Sequence, residues 1–291
     1  MGHSLLILGQ NGQLARALNS AAHDRYDTVT CAGREQADMA IKGRVAALIE
    51  ATRPDIVINA AAWTAVDLAE DEPDAALQIN AHAAGEAAEI CARHAIRFLH
   101  VSTDYVFGGD DREGPFCETD TPAPVNVYGE TKRAGEVAVA EAHDDAAIVR
   151  TSGVFSGGGA DFPSAMWKLA KTHDRLTVVA DQLTTPSPAD ELAQQLLALA
   201  DVQDASGIFH AAGSPGLSWA EFAEAAMATA QAQGGTSVRV DHITTKEFPR
   251  PAKRPTDSRL SCERIQSVTG SAAMNWRSGL ERAYQYWCSA A

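Results

Sequence analysis

The sequence predicts an α/β fold: a doubly wound parallel sheet followed by a smaller α/β C-terminal domain. Three observations carry the prediction. Short, wholly apolar runs without alternation, the kind of strand that is covered on both faces, recur through residues 1–150. Helix-forming stretches separate them, so strand and helix alternate along that span. The first apolar run also leads directly into small residues at Gly9, Gly12 and Ala15, a GxxGxxA spacing that opens the first helix.

In chain order, HSLLILG (3–9) is the first strand and GQNGQLARAL begins the first helix. Small residues at this junction allow a tight turn and let the helix lie close to the sheet, which leaves its N-terminal N–H groups aimed at a phosphate. A simple tight turn is the competing reading. Placement between a first strand and a first helix favours dinucleotide binding, with Gly9, Gln10, Asn11, Gly12, Gln13 and Leu14 as candidate contacts. TVTCAG (28–33) is the second strand. An acidic side chain at its end would bind a ribose 2′-hydroxyl, an arginine a 2′-phosphate. Here Cys31, Ala32 and Gly33 are followed by Arg34, with no carboxylate until Glu35, which points to NADPH and leaves NADH open. Asp38 and Met39 join the candidate cofactor contacts; a merely solvated Arg34 is the alternative.

A helix around 41–52 precedes the apolar strand Ile56–Asn59, which ends in Ala60, Ala61 and Ala62. Small side chains at the carboxyl end of a strand leave room for a cofactor to lie across it, with packing against a helix as the other explanation. EPDAALQINAHAAGEAAEICARHA has helix-forming composition, and IRFLHVS is the next strand. It ends in STDYVFGG, which places Ser102, Thr103 and Asp104 where side chains leave the sheet. A hydroxyl there can hydrogen-bond a carbonyl oxygen and stabilise charge developing on it, although such residues often satisfy local backbone groups instead. About 25 residues on, NVYGETKRAGE (126–136) sets Tyr128 and Lys132 four apart, on one helix face. A phenol titrates near pH ~10 and a nearby cation favours its ionised form. The expectation is therefore that Lys132 lowers Tyr128 into the range of a usable acid or base. An exposed Tyr–Lys pair on an amphipathic helix is the bland reading.

The second half starts from the strand AAIVRTS and runs into Gly157, Gly158 and Gly159, which suggest a mobile loop or a plain linker. LTVVADQLTTPSPADELAQQLLALA reads as a strand returning to the sheet, a proline-marked loop and a helix, and GIFHAAG (207–213) as a further strand. Residues 1–153 are thus expected to form the dinucleotide-binding domain, joined by returning segments within 176–213, and 154–291 the substrate domain. PRPAKRPTDSRL (249–260) concentrates Arg250, Lys253, Arg254 and Arg259, as a diphosphate-binding edge requires, where a solvated loop is the common alternative.

Composition narrows the function classes. The 291 residues, 45% hydrophobic and 21% charged, are ordinary for a soluble globular protein. A net charge of -14 argues against nucleic acid or an anionic membrane as a partner, so an anionic substrate requires a local cationic pocket. Five dispersed cysteines with no CxxC suggest neither a disulfide framework nor a zinc site and fit a reducing cytoplasm. No signal peptide opens the chain and no run approaches the ~18 apolar residues of a membrane span. The nine histidines show no HExxH spacing, so no metal site is expected.

GQNGQL (9–14), NAAAWTAVDLAE (59–70), STDYVF (102–107), NVYGETK (126–132), RTS (150–152), ADQ (180–182) and RPTDSRL (254–260), in this order and over nearly the whole chain, resemble the extended short-chain dehydrogenase/reductases. The resemblance implies a Rossmann-type domain and reduction of the C4 ketone of a dTDP-sugar, dTDP-4-dehydro-L-rhamnose, with hydride from NADPH. It further implies that Tyr128 protonates the resulting alkoxide and that Thr103 hydrogen-bonds the carbonyl oxygen. Lys132 would hold the nicotinamide ribose and depress the Tyr128 pKa. Asp104, Gly153 and Arg254 would join Thr103 and Tyr128 on the substrate. Two departures stand out. Gly153 replaces the tryptophan common in these reductases' RTSWV, which implies a larger sugar pocket or another 4-keto-6-deoxy sugar nucleotide. The first helix reads ARALNS, without the glutamate through which some members bind magnesium at a dimer interface, so magnesium is not expected and the chain is a monomer or homodimer. A non-catalytic regulatory subunit of the same fold also stays open.

Overall fold

The computed structural model describes residues 3–109, 112–158 and 160–290. Its central sheet has six strands: β1 (Ser4–Leu8), β2 (Thr28–Ala32), β3 (Ile56–Asn59), β4 (Arg97–Thr103), β5 (Ala147–Thr151) and the later strand Gly207–His210. They lie in the spatial order β2, β1, β3, β4, β5, Gly207–His210, and every pairing is parallel. The chain moves outward in one direction from β1 to β2 and in the other from β1 to β3, so the topological switch point lies between β1 and β3. Ligands of open α/β sheets bind in the crevice outside the carboxyl ends of the strands at such a point.

The apolar runs become strands because both faces of the sheet are covered. One layer contains α1 (Gln13–Ala22) and the helix Ala189–Ala200, which contribute Leu14, Leu18, Leu192 and Leu196 to a core beneath Leu5, Ile7 and Ile58. The opposite layer contains the helices Arg44–Thr52 and Ala83–Arg93, whose Val45, Ile49, Ala87 and Ile90 pack with Leu6, Val57 and Phe98. A third core, with Phe155, Trp167, Phe222, Trp276 and Leu280 among its members, belongs to the remainder of the chain. Among the described residues no helix is long and apolar enough to cross a membrane.

The stretch LTVVADQ, expected to return to the main sheet as a strand, does not join it. Arg175–Val179 pairs in parallel with Arg239–Ile243 in a separate two-stranded sheet. Leu176 and Val178 are buried while Arg175 and Thr177 are exposed, the alternation of a strand covered on one face only, and a central position would expose no such polar set. The return to the main sheet is made by the helix Ala189–Ala200 and by Gly207–His210.

The long helix after residue 72 is also interrupted. Pro73–Leu77 passes into a π-helical turn at Gln78–His82 before Ala83–Arg93 resumes the α-helix. The extra residue in that turn aims buried Asn80 at its surroundings: its Oδ1 accepts from the Trp63 N–H at 2.9 Å and its Nδ2 donates to Thr131 Oγ1 at 3.0 Å. Thr131 sits on the helix Val127–Ala142, which approaches so closely that a Cβ on Gly135 would lie 2.1 Å from the Asn80 carbonyl oxygen. The π turn thus seats the helix that carries Tyr128 and Lys132.

Candidate active site

The helix Val127–Ala142 starts at a capped end. The Asn126 side chain accepts from the Gly129 N–H at 2.8 Å and donates to the Lys253 carbonyl at 2.7 Å, while Glu70 Oε1 accepts from the Val127 N–H at 3.0 Å. This capping fixes the first turn, on which Tyr128 stands. Tyr128 and Lys132 reach a cleft of about 480 Å³ at the carboxyl ends of β1, β3, β4 and β5, which they share with Asn11, Ala60, Thr103 and Ser152.

Thr103 donates to Asp104 Oδ1 at 3.1 Å and accepts from the Tyr105 N–H at 3.2 Å. Asp104, only 3% exposed, accepts through Oδ2 from Ser152 at 2.7 Å and from Ser258 at 2.6 Å. Burial raises its carboxyl to about 6 despite these hydroxyl donors. Asp104 lines the cleft, yet its acceptor capacity is spent on joining β4, β5 and the C-terminal segment.

Lys132 is buried and its ammonium is held against β4. Nζ donates to the Val101 carbonyl at 2.7 Å and lies 3.4 Å from His100 Nε2. Burial lowers Lys132 to about 8, opposed by the charge of Glu136 one turn along the helix. The expected lowering of Tyr128 is reversed here. Burial pushes its phenol up to about 12, with the neighbouring Thr103 hydroxyl working downward and the Asp104 charge adding to the rise. Desolvation of the phenolate outweighs the influence that favours its ionised form.

The candidate cofactor residues divide by position. Asn11, Gly12, Gln13, Leu14, Ala60 and Ala62 line the cleft. Gly9 takes φ +109 and its N–H donates to the Ala32 carbonyl at 2.9 Å, which ties the turn to the end of β2. Gln10 lies against Gly33, Ala61 packs into the core, and Gln13 also accepts from Ser156 Oγ at 2.7 Å. Arg34 is exposed at the start of the short helix Arg34–Ala37, just beyond β2. Asp38 Oδ1 accepts from the Ala40 N–H at 3.0 Å, and Met39 is a core residue. These groups fit a dinucleotide. Gly12 has nothing within 4 Å of a Cβ placed on it, and no side chain caps α1, so its first N–H groups are left for an anion. Among the described residues no cluster of three or more His, Cys, Asp or Glu is placed to hold a metal ion.

A second, mostly apolar cavity of about 750 Å³ adjoins the cleft, walled by Phe162, Met166, Gln182, Trp219, Phe248 and Arg254. Tyr105, which also lines it, sets its ring edge against Tyr128 with centroids 5.7 Å apart. Three of the loop's cations are engaged by two carboxylates. Arg254 pairs with Asp67 at 3.0 Å, Arg250 pairs with the same carboxylate, and Arg259 pairs with Asp257 at 2.6 Å. Burial opposes ionisation of Asp67, but Arg250 and Arg254 hold its carboxyl at about 2.

Gly153 lines the cleft with φ +50, a conformation that favours glycine. The space beside it is not simply larger. A Cβ there would meet Pro186 Cα at 3.3 Å and the Trp219 ring at 3.5 Å, so an indole from elsewhere in the chain already occupies that side. The glycine loop is likewise tied down over the part described. Asp161 accepts from the N–H groups of Ser156 and Gly157, and Arg16 donates to the Gly158 carbonyl at 2.8 Å. Gly159 lies outside the described residues. Ser152, Gln182, Trp219 and Ser258 are site residues that sequence reasoning did not single out; the Ser258 signal was present in RPTDSRL, while Trp219 follows only a helix-capping Ser218 with Glu221.

A family profile described as "RmlD substrate binding domain" matches residues 3–288. The chain is 39% identical over 284 residues to a dTDP-4-dehydrorhamnose reductase of Sinorhizobium fredii, covering 96% of this chain and 95% of that one. It is 36% identical to a dTDP-4-dehydrorhamnose reductase of Escherichia coli, with 96% of each covered. Among solved structures it superposes on a dTDP-4-dehydrorhamnose reductase of Clostridium acetobutylicum with a TM-score of 0.91 at 34% identity, covering 97% of this chain and 99% of the other. The Bacillus anthracis dTDP-4-dehydrorhamnose reductase, solved in complex with NADP, gives a TM-score of 0.91 at 33% identity, covering 98% and 100%. With the fold and nearly the full length in common, the chain belongs to the dTDP-4-dehydrorhamnose reductase family.

Proposed function

We propose that the protein reduces the C4 ketone of dTDP-4-dehydro-L-rhamnose to dTDP-L-rhamnose, with NADPH as reductant. The observation that supports this best is the meeting of Thr103, Tyr128 and Lys132 in one cleft, at the sheet's switch point and beside the uncapped start of α1. NADPH, when bound, supplies the hydride. Gly12, Gln13 and Leu14 hold its diphosphate, Ala60 and Ala62 leave room for it, Arg34 meets the 2′-phosphate and Lys132 holds the nicotinamide ribose. Thr103 turns its hydroxyl proton from Asp104 to the ketone oxygen, and Tyr128 delivers its phenolic proton to that oxygen as it becomes an alkoxide. A phenol held near 12 keeps its proton at neutral pH, yet remains a stronger acid than the alcohol it creates.

In this reading the sheet unit with its returning segments carries the cofactor, and most of residues 154–291 carry the substrate. The 750 Å³ cavity takes the nucleoside, and Arg254 at its wall takes the diphosphate. Five free thiols suit a reducing cytoplasm. The direct experiment is NADPH oxidation by the purified protein with dTDP-4-dehydrorhamnose. Consumption with formation of dTDP-L-rhamnose is expected, and no consumption would remove the proposal. For the Arg254→Ala variant, the sugar-nucleotide KM is expected to rise roughly 10- to 100-fold, since a charge-assisted contact is worth about 1.5–3 kcal/mol, with NADPH affinity unchanged. A parallel loss of both affinities would point to collapse of the Asp67 cluster instead.

A further inference from the structure

A buried histidine lies behind Lys132, and nothing in the proposed reaction uses it. His100, on β4 and fully buried, sits between Lys132 Nζ at 3.4 Å and Asn59 Nδ2 at 3.1 Å, the latter facing its Nδ1. The orientation of the Asn59 amide is set by the backbone, because its Oδ1 accepts from the Ala61 N–H at 3.2 Å. Its NH₂ group therefore donates to His100 Nδ1, and a neutral imidazole with Nδ1 as acceptor carries its proton on Nε2. That N–H faces Lys132. A charged ammonium there meets a donor, whereas a neutral amine can accept from it.

We infer that Asn59 and His100 are positioning residues for Lys132: Asn59 locks His100 in the Nε2–H tautomer, and the locked N–H sets how readily Lys132 gives up its proton. The inference rests on the role proposed for Lys132. The other charged group that bears on Lys132 among the described residues is Glu136 on the same helix, itself engaged by Arg150 from β5 and by Arg133. His100 is driven well below the usual imidazole range by burial and then by the Lys132 charge, which keeps it neutral. Lys132, lowered to about 8, is charged below that pH and loses its charge as pH rises through it.

Two measurements test this. Nitrogen NMR on labelled wild-type protein, with His100 assigned by loss of its signals in His100→Gln, reads the tautomer without any turnover; Nε2 protonated is expected, and a proton on Nδ1 overturns the inference. Asn59→Asp substitutes a pure acceptor, so the proton moves to Nδ1 and the Nε2 lone pair turns to the ammonium. The alkaline limb of kcat is then expected to move up by about one pH unit, which is tenfold in the proton equilibrium, with KM for the sugar nucleotide unchanged. Asn59→Leu, which frees the tautomer without adding charge, is expected to shift the limb in the same direction by less. An unmoved limb in both variants overturns the inference. Wild-type turnover is measured first: its absence counts against the proposed reaction, while a fixed limb in an active enzyme counts against His100 and Asn59 alone.

Discussion

Replacing Tyr128 by phenylalanine is expected to lower kcat by about a hundred- to ten-thousand-fold, the range that loss of a positioned general acid commonly costs, while NADPH affinity stays within about twofold. The ring keeps its edge contact with Tyr105 and the helix keeps its Asn126 cap, so the variant changes one hydroxyl in an otherwise intact site. Burial disfavours the phenolate and holds the phenol at about 12, so Tyr128 stays protonated through the neutral range. The alkaline loss of turnover in the wild type is therefore expected to follow Lys132 at about 8 rather than Tyr128. Steady-state kinetics with a cofactor-binding titration check both halves of the expectation. Wild-type turnover in Tyr128→Phe would overturn the assignment of the proton donor.

The parts of the site that were legible in the sequence are those whose geometry is local. Tyr128 and Lys132 share a face because they are four apart on a helix, and Gly9, Gly12 and Ala15 mark a strand-to-helix turn whatever the rest of the chain does. The strands of the main sheet announce themselves as unbroken apolar runs. What escaped depends on tertiary placement. Arg250 and Arg254 read as free cations because Asp67, their partner, is more than 180 residues away in sequence. Gly153 reads as a vacancy because nothing near it in the chain reveals that the Trp219 ring lies alongside. The π turn at Gln78–His82 changes a hydrogen-bond register without changing helix-forming composition. The direction of the Tyr128 shift escaped for a related reason: spacing shows that a cation is near, but not how far burial raises the phenol.

Glu136→Ala is the second variant with a large expected effect, on stability and on the pH dependence of turnover. Its carboxylate receives Arg150 through two bonds of 2.7 Å, Ser102 at 2.7 Å and Arg133 at 2.9 Å, and both Glu136 and Arg150 are at most 1% exposed. Removing one partner of such a pair leaves the other charge buried, which costs about 3–5 kcal/mol, or a fall in Tm of about 5–8 °C for a chain of this length. Glu136→Leu combined with Arg150→Met should recover most of that loss, because the uncompensated charge disappears with its partner. Burial favours protonation of Glu136, but the arginines and Ser102 outweigh it and hold the carboxyl below its usual range. The pair's contribution is thus fully present above the unfolded carboxyl pKa of ~4.3 and is lost as pH falls through the lower folded value. Acid unfolding of the Glu136→Ala variant should lack that component. The same carboxylate raises Lys132 against its burial, so its removal should also move the alkaline limb of kcat to lower pH, opposite to Asn59→Asp. A stability loss with an unmoved limb would confine Glu136 to holding β4, β5 and the Tyr128 helix together; a shift in the stated direction would establish that the pair in the core also sets the charge of the residue at the cleft.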